Sequence, residues 1–188
     1  MSYLPKLFST GAIRKTPDKV ISKIAEEIEI EQDETIIIEA GAGLGEITNA
    51  VQQRNISGKN LNYFAFEIDE ESCNYLKDNF LNIKVFGNSV FNFEDVLPPS
   101  LKVDYFISSI LLSFYKDDLI NEFLEKIKLH LKDEGKIIIL FTAAWLMPVL
   151  KKALPNSHTE GFLTFPPYFV IVYKHNTDSK DDVESNSL

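Results

Sequence analysis

The chain has 188 residues, of which 45% are hydrophobic and 25% charged, enough for one domain with a sizeable core and little more. A net charge of −9 and a pI near 4.9 argue against a broad basic face for nucleic acid. The single cysteine, Cys73, rules out an intramolecular disulfide, no apolar run reaches the ~18 residues of a bilayer span, and Met1 to Pro5 lacks a secretory pattern, so a cytoplasmic location is expected.

The charge is unevenly spread. Met1 to Lys23 holds five bases and one acid (+4), which leaves −13 for the rest. Residues 1–16 form a basic N-terminal segment, and a globular domain is expected over 17–175. A helix is predicted from Thr16-Pro17-Asp18, with Thr16 as cap, Pro17 at the first position and Asp18 at the positive end. Val20, Ile21, Ile24, Ala25 and Ile28 then share one face. A buried strand is predicted at 35–39, a glycine turn at 41–45, and a helix near 46–54. There follow a strand at 63–67, a helix at about 70–80, a short strand at 83–86, a strand at 103–108 and a helix at 117–131. Asp133-Glu134-Gly135 reads as a turn into a strand at 136–142. Next come a short helix over 143–154 broken by Pro148 and two strands, 161–165 and 168–174, joined at Pro166-Pro167. Residues 176–188 are rich in Asp, Ser and Asn and read as a disordered acidic tail. Strands alternating with helices imply an α/β, doubly wound, Rossmann-like and mostly parallel sheet, here with a C-terminal antiparallel strand pair.

The segment Ile36-Ile37-Ile38-Glu39-Ala40-Gly41-Ala42-Gly43-Leu44-Gly45-Glu46 is strand, glycine turn and helix start. Glycines let a ligand approach the backbone closely, and the helix start offers N–H groups to an anion. Twenty-two residues after Gly45, at the end of the next strand, Glu67 can accept both hydroxyls of a ribose. A dinucleotide fingerprint would need Gly or Ala at position 46, where this chain has Glu46. Glu39 and Glu46 would repel a pyrophosphate. They suit S-adenosyl-L-methionine, which carries an ammonium and a sulfonium. That cofactor is therefore expected.

Glu39-Ala-Gly41-Ala-Gly43-Leu-Gly45 resembles the first motif of class I S-adenosylmethionine-dependent methyltransferases. Phe66-Glu67-Ile68-Asp69 resembles the second, and Gly87-Asn88-Ser89 takes the place of the third. The resemblance implies cofactor contacts from Glu39, Gly41, Gly43, Gly45, Glu67, Ile68, Asn88 and Ser89, with Glu39 near the methionine ammonium and Asn88 near the adenine amino group. Where the family often has an acid, Asn88 offers an uncharged amide oxygen. A finer resemblance, to bacterial phospholipid N-methyltransferases and through them to rRNA adenine dimethylases, runs up to about Lys174. It rests on Thr10-Gly11-Ala12-Ile13, Val103 to Leu112, Leu131 to Lys136 and Phe165-Pro166-Pro167-Tyr168-Phe169-Val170. Leu111 replaces a proline of those proteins. Ser108-Ser109-Ile110-Leu111 lacks the Asn-Pro-Pro-aromatic motif of adenine methyltransferases.

The resemblance implies a methyltransferase acting on a lipid headgroup amine or another small molecule. Two alternatives are a cofactor-binding interaction module without catalysis, motivated by Asn88 and Leu111, and an RNA adenine N-methyltransferase, which the net charge disfavours. In the N-terminal segment Leu4, Leu7, Phe8 and Ile13 interleave with Lys6, Arg14 and Lys15. The segment can lie on an anionic membrane as a peripheral contact or fold over the site as a lid. Methyl transfer from a sulfonium needs alignment more than acid–base help, and the sequence offers no catalytic residue. No Cys/His cluster suggests a metal. His130 reads as a solvated helix end, Trp145 and the phenylalanines as core, and Tyr115 and Tyr168 as core, rim or pocket lining.

Overall fold

The computed structural model describes residues 15–30, 34–55 and 58–176. The expectations for residues 1–14 and for the tail from 177 lie outside them. Seven strands form one sheet: β1 (Thr35–Ala40), β2 (Leu61–Phe66), β3 (Ile83–Phe86), β4 (Val103–Ser108), β5 (Leu131–Phe141), β6 (His158–Phe162) and β7 (Tyr168–Lys174). Their order is β3-β2-β1-β4-β5-β7-β6. β1 to β5 pair in parallel, and β7 is antiparallel to both β5 and β6. The α/β expectation holds, including the C-terminal antiparallel pair.

Helices cover both faces of the sheet. Successive side chains of a strand point to opposite sides, and β1 is apolar on both. Ile36, Ile38 and Ala40 join the core under α4 (Asp117–His130) and α5 (Met147–Ala153). Ile37 joins the core under α1 (Asp18–Glu26) and α2 (Glu46–Arg54). The fifth helix, α3 (Glu70–Asn79), adds Leu76 to this second core. Val20, Ile21, Ile24, Ala25 and Ile28 are all buried, as the periodicity of α1 predicts. Each such Val or Ile side chain contributes about 1.5–3 kcal/mol.

Several local expectations give way to the fold. Thr16 does not cap α1. Pro17 occupies that position without a side-chain bond, and its carbonyl accepts from the Val20 and Ile21 N–H groups. The turn at 133–135 becomes a bulge inside β5. The pairing jumps from Val103↔Leu131 to Tyr105↔Lys136, and Glu134 takes a φ of 64°. The bulge is held from outside the pair, because the Glu134 N–H donates to His175 O and the His175 N–H to Gly135 O. Pro148 lies in the first turn of α5, following a 3-10 turn at Ala144–Leu146, where its missing N–H costs nothing. β6 ends three residues early, because the chain needs 163–167 to turn into β7.

Candidate functional site

At the carboxyl ends of the parallel strands lies a cleft of about 1070 Å³. Its centre falls between β1 and β4, where the strand order reverses, the usual ligand position in open α/β sheets. Glu39, Gly41, Gly43, Glu67, Ile68, Asn88 and Ser89 all line it. Gly45 does not, and its role is different.

Two neighbours brace the glycine loop. The Gly41 and Ala42 N–H groups donate to Phe66 O at 2.8 and 3.2 Å. The Ser109 hydroxyl, just past β4, donates to Gly41 O at 2.7 Å. Gly45 has a φ of 80°, and a Cβ there would lie 2.5 Å from the Phe80 ring. It is glycine so that the loop can pack on α3. Gly43 has a φ of 54°, and a Cβ there would meet nothing within 4 Å. The open space beside it belongs to the cleft. The N-cap of α2 makes no side-chain bond, so the helix presents its first N–H groups without a competing side chain.

Glu39 is 1% exposed. It follows Ile37 on the α1–α2 face of β1, and this explains its partners. The Thr48 hydroxyl, from α2, donates to Oε2 at 2.5 Å, and the Tyr63 hydroxyl, from β2, donates to the same oxygen at 2.6 Å. Oε1 is buried without a partner. Burial, opposed by the two hydroxyl donors, pushes the carboxyl up to about 7, with the nearby Glu67 and Glu46 adding to the rise. Neither Thr48 nor Tyr63 was singled out from the sequence. The shared inward phase of β1 and β2 was the available signal.

Glu67 stands at the end of β2, 8% exposed. Its Oε2 accepts from the Gly43 N–H at 2.8 Å, and its Oε1 from the Ile68 and Asp69 N–H groups at 2.7 and 2.9 Å. An ionised carboxylate offers about four acceptor positions. One is left for a ribose hydroxyl unless the Ile68 and Asp69 bonds are released. The carboxylate expected to accept from the ribose thus also ties the glycine loop to β2. Asn88 and Ser89 are exposed on the cleft wall beyond β3. Cys73 is buried behind the site, with Sγ 3.1 Å from Glu67 O.

The far wall holds Tyr115 and Tyr168, both lining the cleft. Trp145, expected in the core, is 73% exposed just past β5. His130, expected in solvent, is buried. Its ring sits edge-on to Phe93 at 4.9 Å, and Nδ1 lies 3.0 Å from Lys126 O. Among the described residues no group of His, Cys, Asp and Glu side chains could hold a metal ion, and no helix is long and apolar enough to cross a membrane.

Residues 12–139 match the family described as PRMT5 arginine-N-methyltransferase. The chain belongs to that family. It is an S-adenosylmethionine-dependent methyltransferase. Solved structures agree in fold. An rRNA methylase from Streptococcus thermophilus superposes with a TM-score of 0.62 at 18% identity, covering 87% of this chain and 99% of that one. A precorrin-6y C5,15-methyltransferase from Geobacter metallireducens GS-15 gives 0.64 at 15% identity over 92% and 96%. A methyltransferase from Pyrococcus furiosus gives 0.64 at 16% over 87% and 88%. No curated protein sequence matches significantly. The cleft of this methyltransferase fits its cofactor on its own chemistry: a buried carboxylate oxygen without a donor suits a cationic ligand, and Gly43 leaves room beside the loop.

Proposed function

We propose that this methyltransferase methylates an amine on a small molecule with an apolar body, the lipid headgroup amine implied by the sequence resemblance being one such case. The observation that carries the reading is the rim of the cleft. Among the described residues, seven of the twelve exposed large hydrophobic side chains lie at this end of the sheet: Leu44, Ile68, Leu111 and Phe114 line the cleft, and Trp145, Leu163 and Phe165 stand past β5 and on the β6–β7 turn. Leu163 is 99% and Phe165 88% exposed. Folded proteins seldom collect exposed apolar side chains on one face without something apolar to meet there. A peripheral contact with a lipid surface is compatible with this rim. The N-terminal segment invoked for such a contact lies outside the described residues up to Arg14, and Lys15 and Thr16, which follow it, line the cleft.

Glu67 would accept from the ribose, Asn88 and Ser89 would meet the adenine, and Ile68 would cover it. The free oxygen of Glu39 would face the methionine ammonium, and Gly41, Gly43 and the start of α2 would leave room and N–H donors for the carboxylate. When bound, the cofactor supplies an electrophilic methyl group on a sulfonium. The chain's own part is to align the acceptor and exclude water. A neutral amine needs no protein base to attack, and its surplus proton can pass to water.

The test is transfer of labelled methyl from S-adenosylmethionine to four classes of acceptor: lipid extract, small amines, arginine peptide and RNA. Label in the lipid or small-amine fraction is expected. Label in RNA or arginine peptide alone would overturn the reading. Cofactor binding with no product in any class would make the chain a binding module.

A further inference from the structure

Among the described residues, every charged side chain that lines the cleft stands on one half of it. Glu39, Glu46, Glu67, Asp69, Glu70 and Glu71 come from β1, β2 and the helices that follow them, and Lys15 comes from the approach to α1. The described residues that line the other half come from the ends of β4 and β5, the start of β7 and the 3-10 turn at Val90–Asp95, and none of them is charged. This second half is walled by rings. Phe91 lies 4.6 Å from the Tyr115 ring and 4.4 Å from Phe123, and Phe141 stacks on Phe169 at 5.4 Å. Leu111 and Leu146 complete the wall, and Ser113, Tyr115 and Thr142 belong to its lining.

We infer that the β4–β5–β7 half is the acceptor subsite and that it takes an uncharged, ring-bearing molecule. The inference rests on the methyltransferase reading and narrows its substrate class to a ring-bearing amine, away from a phosphate-bearing lipid headgroup. A guanidinium brought into this half would be a buried cation without a carboxylate. An unpaired buried charge is strongly disfavoured. The six carboxylates stand on the opposite half, where Glu39 and Glu67 are assigned above to the cofactor. A nucleotide phosphate would find no Lys or Arg of the described residues on this half, and such groups are what hold phosphate. A flat apolar ring finds what it needs: aromatic walls for offset stacking and a few hydroxyls to orient it. The subsite therefore discriminates against the arginine named in the family's description.

The test uses the full chain saturated with S-adenosylhomocysteine and the uncharged fluorescent probe N-phenyl-1-naphthylamine. The probe is expected to bind. An excess of arginine peptide or of adenosine monophosphate should leave it bound. Leu111→Asp, on an exposed loop, and Tyr115→Asp should each weaken it about tenfold or more, and Tyr115→Phe should keep it within about twofold. Calorimetry of S-adenosylmethionine should give wild-type affinity in all three variants. Displacement of the probe by either charged competitor, or indifference of the probe to both aspartate variants, would overturn the inference while leaving cofactor binding intact. Absence of cofactor binding by the wild-type chain would instead overturn the reading beneath it.

Discussion

Six carboxylates line the β1–β2 side of the cleft, and no charged side chain of the described residues lines the β4–β5–β7 side. The two sides also differ in how far their polar atoms are committed. On the first, Glu67 and Glu39 bind the loop, α2 and β2 into one unit through five hydrogen bonds. On the second, side chains touch mainly through rings and aliphatic groups. Hydrogen bonds fix positions, and apolar contact tolerates exchange. The contrast suits a constant ligand on one side and a variable one on the other. It also explains why family membership settles the cofactor more firmly than the acceptor.

The glycines separate the fold's needs from the ligand's. Gly45→Ala should be the most damaging change. A left-handed φ costs an L-residue about 1–2 kcal/mol, and the new Cβ would lie 2.5 Å from the Phe80 ring, adding about 1–3 kcal/mol of overpacking. Gly43→Ala meets no neighbour. It should lose only the backbone part, while weakening S-adenosylmethionine by intruding on the cleft. Denaturant unfolding and calorimetry on both variants check this. Equal stability loss in the two would mean that Gly45 is not a packing glycine.

A smaller effect sharpens the acidic half. Glu39 holds its proton up to about 7 against an ordinary 4.5. The folded chain keeps a proton that the unfolded chain releases, so stability is lost as pH rises from about 4.5 to about 7 and levels off above. The loss is on the order of 3 kcal/mol at most. In urea unfolding at about pH 5 and about pH 8, Glu39→Gln should remove this part of the dependence. An unchanged pH profile would mean that Glu39 is already ionised in the folded chain at the lower pH.

The acidic half was the legible one. Glu39, the glycine loop and Glu67 lie within strand-turn-helix units whose geometry follows from local pattern, so their convergence could be foreseen. The three backbone bonds of Glu67 could not, since they depend on how the loop returns over β2. The other half is assembled from distant segments, 90–91, 109–115, 140–146 and 168, which only the sheet order brings together. Apolar residues carry no mark of which side they will face. Trp145 and Phe165 therefore read as core and are found on the rim, and His130 read as solvated and is buried under Phe93.

On the proposed reading the cofactor sits on the acidic half, gripped by Glu67. Calorimetric titration with S-adenosylmethionine tests it most directly. Hydrogen bonds to a charged group contribute about 1.5–3 kcal/mol, so Glu67→Ala should lose roughly ten- to a hundredfold in affinity, and Glu67→Gln less. Because Glu67 also ties down three backbone N–H groups, each variant needs a thermal melt to show that it is folded at the titration temperature. A control must lie off the cleft, which Glu70 lines. Asp78, exposed on α3, is one, and Asp78→Ala should bind as wild type. A folded Glu67→Ala chain with wild-type affinity would mean that the cofactor does not lie against β2.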